Sequence, residues 1–156
     1  MDVSAPLRVL IVGGGPAGSS CAWRLRRAGL DAVVFDRRAF PRDKVCAGWI
    51  TPQVVAELQL DLEDYARAGR TLQPIRGFRI GVIGGDDVEV RYDRVVSYGI
   101  RRCEFDEYLL RRSGAPAFLW AALRSLERAG DEGWVLNGEL RADVLVGAGG
   151  HFCPVA

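Results

Sequence analysis

Apolar residues recur along this chain in two periods, and the switches between them mark its elements. Leu7 to Val12 is a short β-branched run, apolar apart from Arg8, which predicts a buried parallel strand. Gly13 to Gly18 breaks it as a turn. Ala17, Cys21, Ala22, Leu25 and Ala28 then recur at helical spacing, with Pro16 at the first helical position and Gly29 after the last. Ala32 to Phe35 is a second apolar strand, ending at Asp36. Strand, turn, helix and strand make a Rossmann-type βαβ unit, so the fold class is α/β.

The pattern then loosens. "RRAFPRDKVCAGWITP" carries no period and is bracketed by Pro41 and Pro52. Thr51 predicts an N-cap for a short helix to about Leu58, and "LDLEDYARAG" a second short helix. From about 75 to 100, "FRIGVIG", "DVEVRY" and "RVVSYGI" partly alternate around a turn at Gly84 to Asp87. They predict an antiparallel segment inserted into the α/β scaffold. "CEFDEYLLRRSG" predicts a helix with Phe105, Leu109 and Tyr108 on its apolar face. "AFLWAALRSLERAG" reads two ways: its composition favours helix, its neighbours favour strand. "GWVLNG" predicts a strand entering a hairpin turn at Asn137-Gly138, and "ADVLVGAGG" a buried strand running into glycines.

Composition sets limits on partners. The 156 residues, 49% hydrophobic, suffice for one domain with a core, here taken as residues 1–156. Lys and Arg number 21 against 20 Asp and Glu, a balance that argues for no nucleic-acid partner and no acidic membrane surface. Arginines fall in scattered pairs, such as Arg26-Arg27 and Arg111-Arg112. Cys21, Cys46, Cys103 and Cys153 form no C-x-x-C pair, so no metal site is expected. Four thiols without a secretory signal suggest a reducing cytosol, and no stretch has the length of a transmembrane span. The last residues, "GAGGHFCPVA", follow directly on a strand, and the chain is expected to be a portion of a longer protein.

The glycines of the first turn carry the chemistry. In Gly13-x-Gly15-x-x-Gly18, Gly13 permits a tight turn and Gly15 leaves room for a pyrophosphate. Gly18 lets the helix approach the strand. The helix N-terminus, with Pro16 at its first position and Ala17 after it, presents its unpaired backbone N–H groups to phosphate. Asp36 at the end of the second strand is placed to accept hydrogen bonds from a ribose diol, which disfavours a 2′-phosphate. The turn therefore predicts a dinucleotide, FAD or NAD.

The segment "FDRRAFPRDKVCAGW", with the βαβ unit, resembles the geranylgeranyl reductase family of flavoproteins, which share the para-hydroxybenzoate hydroxylase fold. Lys44, Cys46 and Gly48 match the family's Lys-x-Cys-x-Gly, with Ala47 where a glycine is more usual. Arg102, Phe105, Asp106 and Leu109 match its Arg-x-x-Phe-Asp-x-x-Leu helix. "ADVLVGAGGHF" matches a strand usually followed by Gly-Ala-Asp-Gly, with Gly149 in place of the Asp. The resemblance implies FAD as cofactor, held by Gly13, Gly14, Gly15, Pro16, Ala17, Gly18, Asp36, Arg37, Lys44, Cys46, Ala47 and Arg102. It implies NAD(P)H as a candidate electron donor, and a small-molecule substrate, prenyl or aromatic.

Three functions stay open at this point. One is reduction of prenyl double bonds through a bound flavin, in the cytoplasm or at a membrane periphery. The second is a monooxygenase or halogenase of the same fold, and the third a non-catalytic nucleotide-binding portion. Cys46 is a candidate catalytic thiol or a small packed side chain, and Trp49 walls a cavity or caps the core. Arg42 and Lys44 meet phosphates or stay solvated. His151, the sole histidine, has no nucleophile elbow before it and is assigned a local structural role.

Overall fold

The computed structural model describes residues 8–130 and 133–155. In chain order the elements begin with β1 (Arg8–Val12), α1 (Pro16–Arg27) and β2 (Asp31–Phe35). Next come β3 (Trp49–Ile50), α2 (Pro52–Glu57), α3 (Leu62–Arg67), β4 (Leu72–Ile75), β5 (Gly77–Gly81), β6 (Asp87–Arg91) and β7 (Ser97–Ile100). Last are α4 (Arg102–Ser113), β8 (Ala117–Phe118), β9 (Leu126–Arg128), β10 (Trp134–Leu136), β11 (Leu140–Ala142) and β12 (Val144–Gly147). The chain divides into two compact units, one of residues 1–42 and 106–156, the other of residues 43–105.

In the first unit β1 is hydrogen-bonded on both sides, in a parallel sheet of order β12-β1-β2-β8. A central strand has both faces covered, and its alternation decides which residue faces which layer. Val9 and Ile11 pack with Ala22, Ala32, Val34 and Leu110 on the helical side. Leu10 and Val12 pack with Phe35, Leu136 and Ala142 towards the antiparallel sheet β11-β10-β9. Each of the larger side chains among them (valine, leucine, isoleucine and phenylalanine), fully buried, contributes about 1.5–3 kcal/mol.

Two expectations for this unit are corrected. Of the expected face of α1, Ala22 is buried and Cys21 and Leu25 pack against the core, but Ala17 and Ala28 are exposed, and Gly18, Ser19 and Trp23 are buried as well. Trp23 is covered in part by the guanidinium groups of Arg24, Arg27 and Arg112, each within 5.0 Å of its ring centroid. β12 is not a buried strand: among the described residues β1 is its sole ladder partner, so it lies at the sheet margin, and Val144 is 39% exposed. Leu7, the predicted start of β1, lies outside the described residues.

The segment that reads two ways contributes two short strands, β8 and β9, and between them 119–125 is irregular, with Trp120 at φ 61. Asp36 N–H donates to the Phe118 carbonyl at 3.0 Å, and Ala121 N–H to the Asp36 carbonyl at 3.0 Å. The Asn137 side chain then holds the next stretch. Its Oδ1 accepts the N–H groups of Arg124 and Ser125 at 2.7 and 3.2 Å, and its Nδ2 donates to Ala122 O at 3.0 Å. Backbone groups tied up this way are not available to a helix ladder. Asn137 (φ 51) and Gly138 (φ 75) form the hairpin turn between β10 and β11, both left-handed as that turn requires.

In the second unit Thr51 caps α2 as expected, and Asp61, not singled out in the sequence, caps α3. Thr51 Oγ1 accepts Val54 N–H at 3.4 Å to start α2, and Asp61 Oδ1 accepts Asp64 N–H at 2.8 Å to start α3. The antiparallel strands form two sheets, β3-β7-β4 and the hairpin β5-β6. β3 and β4, short and weakly alternating, carry no sequence signal of their own. In the hairpin Phe78 opposes Val90 and Ile80 opposes Val88, while Arg79 opposes Glu89. One face is thus apolar and the other charged.

A candidate dinucleotide site at the first glycine turn

The turn is built by four short contacts among β1, α1, the end of β2 and the segment after β12. Gly13 N–H donates to Phe35 O at 2.8 Å, and Gly14 N–H to Asp36 Oδ2 at 2.7 Å. Ser19 Oγ donates to Gly14 O at 2.8 Å, and Ala148 N–H to Val12 O at 2.8 Å. Asp36 is buried, and its other oxygen, Oδ1, accepts Arg38 N–H at 2.9 Å. Each carboxylate oxygen retains a lone pair beyond these bonds.

The three motif glycines have different neighbours. Gly13 has φ +113, and a Cβ there would run into the Ala148 carbonyl; a Cβ on Gly18 would overlap the carbonyl oxygen of Gly13. Both are therefore required by the fold itself. Gly15 has φ −68 and ψ −176, open to any L-residue, and its Cβ would meet a single neighbour, Arg42 Nη2 at 3.4 Å. The space beside Gly15 is thus open and flanked by a guanidinium. Pro16 starts α1 with no N–H to satisfy, and Ala17 and Gly18 follow in the first turn, whose N–H groups lack helical acceptors.

Arg42 is held in place from two sides. Its guanidinium lies 4.6 Å from the Phe40 ring centroid, and its Nη1 is 3.6 Å from Asp106 Oδ2. A cleft beside the turn is lined by Gly13, Asp36 and Arg37, by the irregular Ala121–Leu123 stretch and by Phe152. Gly149 N–H donates to Cys153 Sγ at 3.3 Å, which closes the loop on the far side of the turn. Such an arrangement can accept a diphosphate at the helix N-terminus and a hydroxylated ring against Asp36.

Of the residues named from the sequence, Gly13 to Gly18, Asp36 and Arg37 come together here. Lys44, Cys46, Ala47 and Arg102 belong to the other compact unit, where Lys44, Cys46 and Arg102 line a second cleft with Cys103. Arg42 and Phe40, seen in the sequence as loop residues, are part of the turn's surroundings. Their sequence signal was the Phe-Pro-Arg run after β2, which gives no hint of Asp106 as partner. Trp49 is 52% exposed and packs edge-on against Phe78 at 5.8 Å, so it caps no core. His151 is exposed and stacks edge-on with Phe152 at 4.6 Å. Burial pushes the Cys21 thiol pKa up, as befits its place against the helical-side core. Among the described residues no group of His, Cys, Asp or Glu is arranged to hold a metal ion, and no helix is long and apolar enough to cross a membrane.

Known proteins share this arrangement. The chain is 41% identical over 116 residues to the menaquinone reductase of Mycobacterium tuberculosis, covering 69% of this chain and 26% of that protein. It is 33% identical over 104 residues to the geranylgeranyl diphosphate reductase of Rhodobacter capsulatus, covering 67% of this chain and 25% of that protein. It thus spans about a quarter of the length of these curated relatives. Among solved structures, the flavin-dependent halogenase CmlS superposes with a TM-score of 0.71 at 25% identity, over 97% of this chain and 30% of that one. The family model described as FAD dependent oxidoreductase matches residues 8–107, and on that match, across the glycine turn, its acid and the start of α4, the chain belongs to the FAD-dependent oxidoreductase family.

Proposed function

We propose that this chain binds the adenosine diphosphate half of FAD at the first glycine turn and serves a flavin-dependent reductase of an isoprenoid-bearing small molecule. The observation that carries the cofactor assignment is Gly15: its backbone tolerates a side chain, yet the space a side chain would fill is open beside Arg42. The residues present fit such a group. The first turn of α1 and Arg42 would hold the diphosphate, and Asp36 a ribose diol. Arg37 and the Ala121–Leu123 stretch would flank the adenosine. Lys44, Cys46, Ala47 and Arg102 are proposed as contacts to the remainder of the cofactor on the strength of the family resemblance.

Bound FAD would supply the two-electron chemistry, and the protein's part is to orient it and exclude water. The substrate class is supported by two relatives, one named for menaquinone and one for geranylgeranyl diphosphate, both compounds with polyprenyl chains. NAD(P)H is the proposed electron donor. A second reading, oxygen-dependent hydroxylation or halogenation, is favoured by the likeness to CmlS.

FAD titration of the chain, followed by flavin fluorescence, tests the cofactor assignment. Saturable binding that Gly15→Ala abolishes is expected, and binding unchanged by that substitution would remove this turn from the site. Anaerobic turnover by a protein that carries the chain separates the two chemistries. A prenyl substrate that gains two hydrogens without oxygen supports the reductase, whereas a strict oxygen requirement supports the second reading.

A further inference from the structure

Asp106 stands out among the ionisable residues of the first unit because it is fully buried, 0% exposed, in the middle of α4. A carboxylate taken out of water is costly unless a cation and hydrogen bonds compensate it. The Arg42 guanidinium supplies the cation, with Nη1 3.6 Å from Asp106 Oδ2. The same guanidinium turns its other terminal nitrogen, Nη2, to the open space beside Gly15. Its face rests 4.6 Å from the Phe40 centroid, and Phe40 in turn lies against Gly14, whose Cβ would be 3.1 Å from Phe40 Cζ. The acid therefore holds one end of a planar fork whose other end faces the turn.

We infer that Asp106 is a positioning residue for an anion seat: through Arg42, it presents Nη2 to the diphosphate of a dinucleotide lying beside Gly15. The inference rests on the reading that a dinucleotide diphosphate occupies this turn. An arginine already oriented by a buried acid and an aromatic floor loses little further freedom when the anion arrives, so more of the charge-assisted bond is realised as affinity. Asp106 touches no ligand itself. Its contribution is carried by the arginine, which makes it separable from a carboxylate that merely stabilises α4.

The test is a double-mutant cycle on the whole chain, with ADP as one probe and adenosine, which lacks phosphates, as the other. Arg42→Ala is expected to weaken ADP binding by about tenfold or more, and Asp106→Asn by about tenfold while Arg42 is present. In the Arg42→Ala background Asp106→Asn is expected to cost less than about twofold, and adenosine affinity should not respond to either change. Equal losses in both backgrounds, or a parallel loss for adenosine, would make Asp106 structural only and overturn the inference while leaving the site intact. No ADP affinity in the parent chain would instead sink the site, and the inference with it. Should Asp106→Asn not fold, nitrogen-15 spectra of the ADP-free parent decide. Resolved Nη signals from a restrained Arg42 guanidinium are expected, and a freely rotating one would refute positioning.

Discussion

Asp36 and Gly14, 22 residues apart, are joined by a buried 2.7 Å hydrogen bond from the glycine N–H to the carboxylate. The acid that ends β2 thus shapes the turn that ends β1, besides standing at the edge of the cleft. Asp36→Ala is expected to do two things. It leaves a buried N–H without an acceptor, lowering stability by about 1–3 kcal/mol, and it weakens adenosine binding about ten- to a hundredfold. Denaturant melts and ADP titration measure the two effects separately, and a variant with unaltered stability would contradict the turn-shaping role.

The motif glycines should separate in the same pair of assays. Gly18→Ala forces a Cβ onto the Gly13 carbonyl and is expected to cost about 1–3 kcal/mol of stability. Gly15→Ala meets only Arg42 Nη2 at 3.4 Å and should melt with the parent while losing FAD. Similar melting losses at both positions would show that Gly15, too, is held for the fold.

Asn137 fixes the irregular wall of the cleft through three side-chain bonds to Ala122, Arg124 and Ser125. Asn137→Ala also loses a residue suited to φ 51. Together these should lower stability by about 1–3 kcal/mol. Hydrogen exchange should quicken at Arg124 and Ser125, and unchanged protection there would count against the wall being held this way.

The pKa of Glu104 is lowered, chiefly by the Thr71 backbone N–H at 2.7 Å and further by Arg101. A carboxylate depressed in the folded state contributes stability above its unfolded pKa, and that contribution fades as pH falls through the folded value. Glu104→Gln should therefore melt below the parent at neutral pH, with the gap closing under acid conditions. A gap that persists at low pH would mean that charge plays no part.

The thiols should react unequally. Cys21 has its pKa raised by burial, whereas Cys46 is exposed. Since the thiolate is the nucleophile, iodoacetamide should label Cys46 well before Cys21 in the folded chain, with the difference lost in denaturant. Peptide mapping by mass spectrometry reads both sites.

Much of the βαβ unit was legible in the sequence because its signals are local. Pro16 and Gly29 bound α1, Thr51 caps α2, and Asn137-Gly138 makes the hairpin turn, each through contacts within a few residues. The distinct demands on Gly13, Gly15 and Gly18 were legible for the same reason: the absence of a β-carbon is a property of each residue alone. The tertiary structure decided what depends on long-range pairing. It made 119–125 irregular rather than helical, because Asp36 and Asn137 capture backbone groups that a helix would have used. It added Trp23 to the buried residues of α1, and left β12 at a sheet margin. It also joined Arg42 to Asp106 across 64 positions of chain. No period or propensity encodes such a pair; a buried carboxylate finds its cation only when the packed core excludes water from both.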